Sequence, residues 1–155
     1  MEDASTAQKV GLLPPTWFFI LLILGIALRA VVPAYTFLHW PYNLVGLAPL
    51  LFGSWITVWA DNIFKRRGTT VKPHLDPIEL IVSGPFRISR HPMYLGMALI
   101  LLGEALLLGA VTPFAAPIAF AVIMQARFIP MEERSMERVF DEQYDAYRRR
   151  VRQWL

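Results

Sequence analysis

The sequence predicts an all-α, polytopic membrane helix bundle with about four transmembrane helices and an amphipathic C-terminal helix. Three observations predict it. The chain of 155 residues is 55% hydrophobic and 17% charged, with a mean hydropathy of +0.43, whereas soluble domains carry about 25% charged residues. Four apolar runs of roughly 17–21 residues can each cross ~30 Å of hydrocarbon at 1.5 Å per residue. Basic residues fall between those runs: six of the fifteen Lys and Arg lie between Asp61 and Pro92, and seven lie from Arg127 onward. The length fits a single domain, residues 1–155.

The first span is expected at about 15–32. Its acidic flank (Glu2, Asp3) and the lack of an A-x-A site argue against a cleaved signal peptide. Spans two to four are expected at about 44–64, 92–110 and 112–128. They leave a basic loop, 65–91, and a basic tail, 129–155. The link between spans one and two holds no Lys or Arg, and spans three and four are joined almost directly. The positive-inside rule therefore puts loop, tail and both termini in the cytosol. Gly46 and Gly53 on span two, and Gly96 and Gly103 on span three, are each two turns apart, so each pair marks one face for close packing. Pro49, Pro113 and Pro117 are expected near helix starts or kinks.

The tail reads as a helix from about Met131 to Val151. Met136, Val139, Phe140, Gln143, Tyr144, Tyr147 and Val151 recur at helical spacing, and Arg138–Glu142 and Asp145–Arg149 are i,i+4 pairs on the other face. Trp154 suits an interfacial anchor.

Several functions are excluded or disfavoured. Without cysteine there is no disulfide, thiol nucleophile or Cys-based zinc site, and His39, His74 and His91 do not cluster, so no metal is expected. Aromatics are not interleaved through the basic segments as nucleic-acid binding would need. Neither G-x-G-x-x-G nor a Walker A sequence occurs. Four spans without internal repeats disfavour a secondary transporter.

Two polar stretches could carry chemistry. In Arg90-His91-Pro92-Met93-Tyr94, Pro92 suits the first helical turn, which puts His91 near the N-cap. Free backbone N–H groups there, with Arg90, would bind an anion such as a carboxylate. Alternatively, Arg87 and Arg90 hold lipid phosphate and fix topology. Glu132-Glu133, just past Pro130, falls at the expected first turn of the tail helix. The pair could offset the helix dipole, or a glutamate could accept hydrogen bonds from ribose hydroxyls. Within the spans, Arg29 and Glu104 share a depth of roughly 6–9 Å below the outer surface and are expected to pair.

The ordered pieces Gly68-Thr69-Thr70-Val71-x-Pro73, Ser83-Gly84-Pro85-Phe86-Arg87-x-Ser89-Arg90-His91-Pro92-Met93-Tyr94-x-Gly96, Glu132-Glu133 and Phe140-x-x-x-Tyr144-x-x-Tyr147 through Arg150-Val151 resemble the isoprenylcysteine carboxyl methyltransferase family and its relatives, the phospholipid methyltransferases. The resemblance covers Gly68 to Val151. It implies an integral-membrane enzyme that takes S-adenosyl-L-methionine at the cytosolic face and a lipid-like methyl acceptor from the membrane. Matched position by position, Ile78, Glu79, Leu80 and Ile81 would line the cofactor. Phe86 falls where relatives often have tyrosine. His91, Pro92, Met93 and Tyr94, with Arg90 beside them, fall on the cofactor-binding helix start, and Glu132 on the cofactor-site glutamate. Arg127 lies within a residue of the family's substrate arginine. After Val151 stands Arg152, where relatives often have proline.

The residue types suit that chemistry. Methyl transfer from a sulfonium is an in-line displacement needing neither metal nor covalent intermediate, so positioning and desolvation can supply most of the rate. A carboxylate acceptor needs a cation, for which Arg127 could serve. An amine acceptor needs a base, for which Glu133 is available. Carboxyl O-methylation of an isoprenylcysteine-type substrate is the first expectation. Phospholipid N-methylation and a non-enzymatic scaffold docking on anionic headgroups are the alternatives.

Overall fold

The computed structural model describes residues 12–32, 35–67 and 79–155. Ile78, His74 and the Gly68–Pro73 motif lie outside the described residues. Five α-helices follow in order: α1 (Pro14–Val31), α2 (Leu47–Arg67), α3 (Pro92–Leu108), α4 (Ala115–Ile123) and α5 (Ile129–Arg150). Three short turns of 3-10 helix, at Tyr42–Gly46, Gly84–Arg87 and Thr112–Phe114, lead into α2, α3 and α4. Among the described residues no sheet forms; the extended pairing amounts to two isolated bridges, Thr36 with Ala110 and Ser89 with Arg152.

The helices are apolar and face outward. Helix α1, the stretch Tyr42–Arg67 and the stretch beginning at Thr112 are each long and apolar enough to cross a membrane, yet only 22% of each spanning window is buried inside the molecule. Phe19, Ile23, Ile26, Leu51, Val58, Ile118 and Val122 are exposed. So much outward apolar surface is stable only in lipid. The chain is an integral membrane protein, a helical bundle as its composition predicts.

Helix α3 is the centre. Apart from Glu104 it is apolar all round, and a helix of that kind belongs inside a bundle. Phe18 and Leu21 of α1, Tyr94, Met97 and Leu101 of α3, and Ala116 and Phe120 of α4 form the main core with Met124, Phe128 and Ile129. On its other side α3 meets α2 and the turn before it at two glycine pairs, Gly53 with Gly96 and Gly46 with Gly103. A Cβ on Gly53 would lie 2.5 Å from the Gly96 carbonyl oxygen, and one on Gly46 2.5 Å from that of Gly103. Only hydrogen at all four positions lets the backbones approach so closely. Gly109 ends α3 with φ 66°, and its carbonyl accepts the N–H groups of Phe37 and Leu38 at 3.0 and 3.2 Å.

The fourth apolar stretch does not stop where the tail was expected to begin. Helix α4 passes through a turn of π-helix, Met124–Phe128, straight into α5. Glu132 and Glu133 therefore do not sit at a free helix start, and the dipole reading fails: the N–H groups it needs are already bonded within the helix. Helix α5 instead breaks at Asp141 (φ 40°, ψ −116°). Glu137 and Arg148 form an ion pair. In a straight helix they would be about 16 Å apart, so the break folds the second half back. Arg148 also meets Asp145 at 3.4 Å, in place of the expected Asp145–Arg149 pair. Tyr144, Tyr147 and Val151 pack together with Leu80, Met136 and Phe140.

Arg29 and Glu104 do not pair. The Arg29 Nε donates to the Leu108 carbonyl at 3.3 Å, one turn further along α3. Both Glu104 carboxylate oxygens are buried without a hydrogen-bond partner and face Gly25 of α1. Free carbonyls at the end of α3 satisfy the guanidinium, a competitor invisible to an argument from depth alone.

Candidate functional site

One polar cluster joins the start of α3 to α5 and the last residues. His91 is the N-cap of α3 and Pro92 its first residue. Buried Ser89 shapes the approach: its Oγ accepts the His91 N–H at 3.1 Å and donates to the Gln153 carbonyl at 3.1 Å. The His91 ring lies between two carboxylates. Its Nδ1 is 3.4 Å from Glu132 Oε2 and its Nε2 3.2 Å from Glu133 Oε1. It also stacks parallel to Tyr94, with ring centroids 5.7 Å apart. The Tyr94 hydroxyl, one turn into α3, donates to Glu132 Oε1.

Glu133 gathers four donor contacts on one oxygen. Arg90 reaches Oε1 through Nε at 3.0 Å and Nη2 at 2.8 Å, His91 through Nε2, and Gln153 through Nε2 at 3.3 Å. The other oxygen, Oε2, takes no hydrogen bond among the described residues and remains an open acceptor. Arg90 also ties the tail down, donating through Nη1 to the carbonyls of Arg148 and Val151, both at 3.3 Å.

These contacts fix the charges. Burial pushes the His91 pKa down, but the hydrogen bonds and charges of Glu132 and Glu133 outweigh it, and the net shift is upward from 6.5. For Glu133, burial pushes upward, and His91, Arg90 and Gln153 together bring the carboxyl below its ordinary 4.5. The Arg90 guanidinium and the His91 ring thus face two carboxyl groups in a site whose side chains are largely buried. The Tyr147 hydroxyl donates to the Phe86 carbonyl at 2.6 Å, and burial pushes its pKa up to about 12.

The last residues close the site from outside. Arg90 N–H donates to the Arg152 carbonyl at 3.0 Å within the parallel bridge. The closing bonds run to carbonyls of Arg148, Val151, Arg152 and Gln153. Arginine where relatives often have proline therefore costs none of them, since proline differs by lacking an N–H.

The remaining expected residues divide into two groups. Pro92 is fully buried, and Met93 packs on the cluster of Ala60, Ile81 and Phe86. Phe86 meets Phe64 edge-on at 5.2 Å. Ile81 and Phe86 thus brace the turn as core residues. Leu80 packs under the tail, and Glu79 pairs with Arg67. Arg127 is exposed on the π-helical turn, outside the cluster and without a hydrogen bond or ion pair among the described residues. Gln125 and Gln153 are given no role by the sequence, and Ser89 stands in the quoted motif without an assigned role. The only available signal was Ser89, two residues before the helix cap, where hydroxyls commonly bond backbone N–H groups.

A shallow, largely apolar groove of about 380 Å³ lies beside this region, lined by Ala121, Val122, Gln125, Ala126 and Trp154. Among the described residues no group of acidic or histidine side chains could hold a metal ion.

The chain is 32% identical over 122 residues to Protein-S-isoprenylcysteine O-methyltransferase B of Arabidopsis thaliana; the match takes in 73% of this chain and 58% of that protein. The chain thus spans well under two thirds of that relative's length. No solved structure gives a significant match. The family described as Phospholipid methyltransferase matches residues 41–143, from the turn before α2 to beyond the break in α5. That span contains α3 and both glutamates of the polar cluster, and with well over half of its length matched, the chain belongs to the phospholipid methyltransferase family.

Proposed function

We propose that the protein transfers a methyl group from S-adenosyl-L-methionine to a lipid-like acceptor at the cytosolic membrane face, by carboxyl O-methylation of an isoprenylcysteine-type substrate. The observation that carries the reading is the convergence of His91 and Tyr94 with Glu132 and Glu133, across some forty residues of sequence, at one end of the bundle. The donor set fits the cofactor: Arg90 and His91 suit its carboxylate, and the open Glu133 Oε2 suits its ammonium or ribose hydroxyls. When bound, the sulfonium supplies an electrophilic methyl group and departs as a neutral thioether.

The chain's own residues bind, orient and exclude water. Glu132 is held by Tyr94 and His91, and Glu133 by Arg90 and His91, so neither carboxylate reorganises during transfer. Arg127, exposed and without a partner among the described residues, is available to a carboxylate acceptor. The O-methylation step releases no proton to the enzyme. The name of the similar plant protein supports this acceptor class. The matched family's description supports a second reading, N-methylation of a phospholipid amine, in which Glu133 Oε2 takes the proton that the amine loses.

The test is incubation of detergent-purified protein with isotope-labelled S-adenosyl-L-methionine and either a farnesylated cysteine or phosphatidylethanolamine vesicles. Label in a base-labile ester supports the first reading, and label in the phospholipid headgroup the second. Absence of both, with no thermal stabilisation by S-adenosylhomocysteine, would leave the scaffold alternative.

A further inference from the structure

Three hydrogen bonds leading into the main cluster form a chain whose direction is forced. The Trp154 indole Nε1 donates to Gln125 Oε1 at 2.8 Å. Gln125 Nε2 donates to Gln153 Oε1 at 3.0 Å. Gln153 Nε2 donates to Glu133 Oε1 at 3.3 Å. An amide can usually flip by exchanging its oxygen and nitrogen. Here both ends forbid it. An indole N–H can only donate, and an ionised carboxylate can only accept. With Gln125 Oε1 facing the indole, Gln125 Nε2 must point to Gln153. With Gln153 Oε1 so engaged, its Nε2 must point to Glu133. Flipping either amide would set two acceptors or two donors face to face.

We propose that Gln153 is a positioning residue for Glu133, held in its donating sense by the directed chain from Trp154 through Gln125. The inference rests on the reading of Glu133 as a site residue and goes beyond it. It assigns a role to three side chains near the end of the sequence and on the π-helical turn. Their environment favours the chain. Gln125 lines the groove among Ala121, Val122 and Ala126, whose apolar side chains offer its amide no hydrogen bond. The groove wall is therefore wired to the carboxylate: whatever displaces Trp154 releases both amides and removes one donor from Glu133. Glu133 then keeps Arg90 and His91, with Tyr144 and Tyr147 as its other titratable neighbours.

The experiment is a titration of the Glu133 carboxyl by carbon NMR of full-length, detergent-solubilised protein without cofactor. Wild type is compared with Gln153→Ala and Trp154→Phe. The second change keeps an aromatic ring in place and adds no charge, and it removes the indole N–H together with the pyrrole part of the ring. Losing a donor to the ionised form should raise the Glu133 midpoint, on the order of half a pH unit. The proposal expects both variants to move it upward. A midpoint moved by Gln153→Ala alone would reduce Gln153 to a local contact and overturn the directed chain. A midpoint unmoved by both would overturn the positioning role altogether. Binding of S-adenosylhomocysteine to wild type, measured separately, reads the cofactor proposal, so the two can fail independently.

Discussion

His91, set between two carboxylates, should make folding stability depend on pH in a specific way. Its pKa is raised by folding, so its contribution is complete below 6.5 and is lost as pH rises through the higher folded value. Glu133 is lowered by folding, so its contribution is complete above 4.5 and is lost as pH falls through its depressed value. Both are fully present only between about 4.5 and 6.5. Thermal unfolding in detergent should show stability declining on the alkaline side of that window, and His91→Gln should flatten the decline; an unchanged slope would show that the imidazole is neutral. At the same scale, His91→Ala and Glu132→Ala should each weaken S-adenosylhomocysteine binding by about tenfold or more while the protein stays folded, since hydrogen bonds to charged groups contribute ~1.5–3 kcal/mol. Calorimetric affinities equal to wild type for both would move the cofactor elsewhere. Arg127→Ala should lower turnover more than cofactor affinity. Some of these residues were readable from the chain and others were not. Arg90-His91-Pro92 announces a helix start through local chemistry. Gln153 sits in a run with no local signal, and its role appears only once Gln125, 28 residues earlier, is beside it.

The pairing of α2 with α3 and the break in α5 decide where the polar residues meet. Four glycines bring α2 and the turn before it into backbone contact with α3, so an added methyl group has nowhere to go. Gly53→Ala or Gly96→Ala should destabilise the protein by about 1–3 kcal/mol through overpacking, read as a lower midpoint in detergent thermal unfolding. An unchanged midpoint would mean that the two helices can separate freely. The seven-residue spacing of those glycines was legible in the sequence; that the two pairs face each other was not. The break at Asp141 was also hidden. It rests on a positive φ at a residue other than glycine, so the heptad-like recurrence of Met136, Phe140, Tyr144 and Tyr147 reads as one straight helix. The real path folds back and lets Arg90 reach Glu133 and the carbonyls of Arg148 and Val151 together.

Across the whole molecule, the polar cluster lies at one end of the bundle, and the sparsely charged connections lie at the other. The proposed orientation puts the cluster in the cytosol. The chain has no cysteine, so Arg87→Cys and Val111→Cys, both at exposed positions, give clean single-thiol probes. In sealed inside-out vesicles an impermeant maleimide should label position 87 and spare position 111; the reverse pattern would invert the topology. Composition, the lengths of the apolar runs and the spacing of charge determined by themselves that this is a helical membrane protein, because lipid demands long apolar segments whatever their partners. The order of motifs pointed to the family. The tertiary structure alone decided which polar groups meet. It turned Arg29 away from Glu104, ran the fourth span into the tail without a break, and directed three side-chain bonds toward Glu133. The physical reason is that burial in lipid depends on composition summed over a segment, whereas a hydrogen bond depends on the distance and direction of two atoms, which only the folded chain sets.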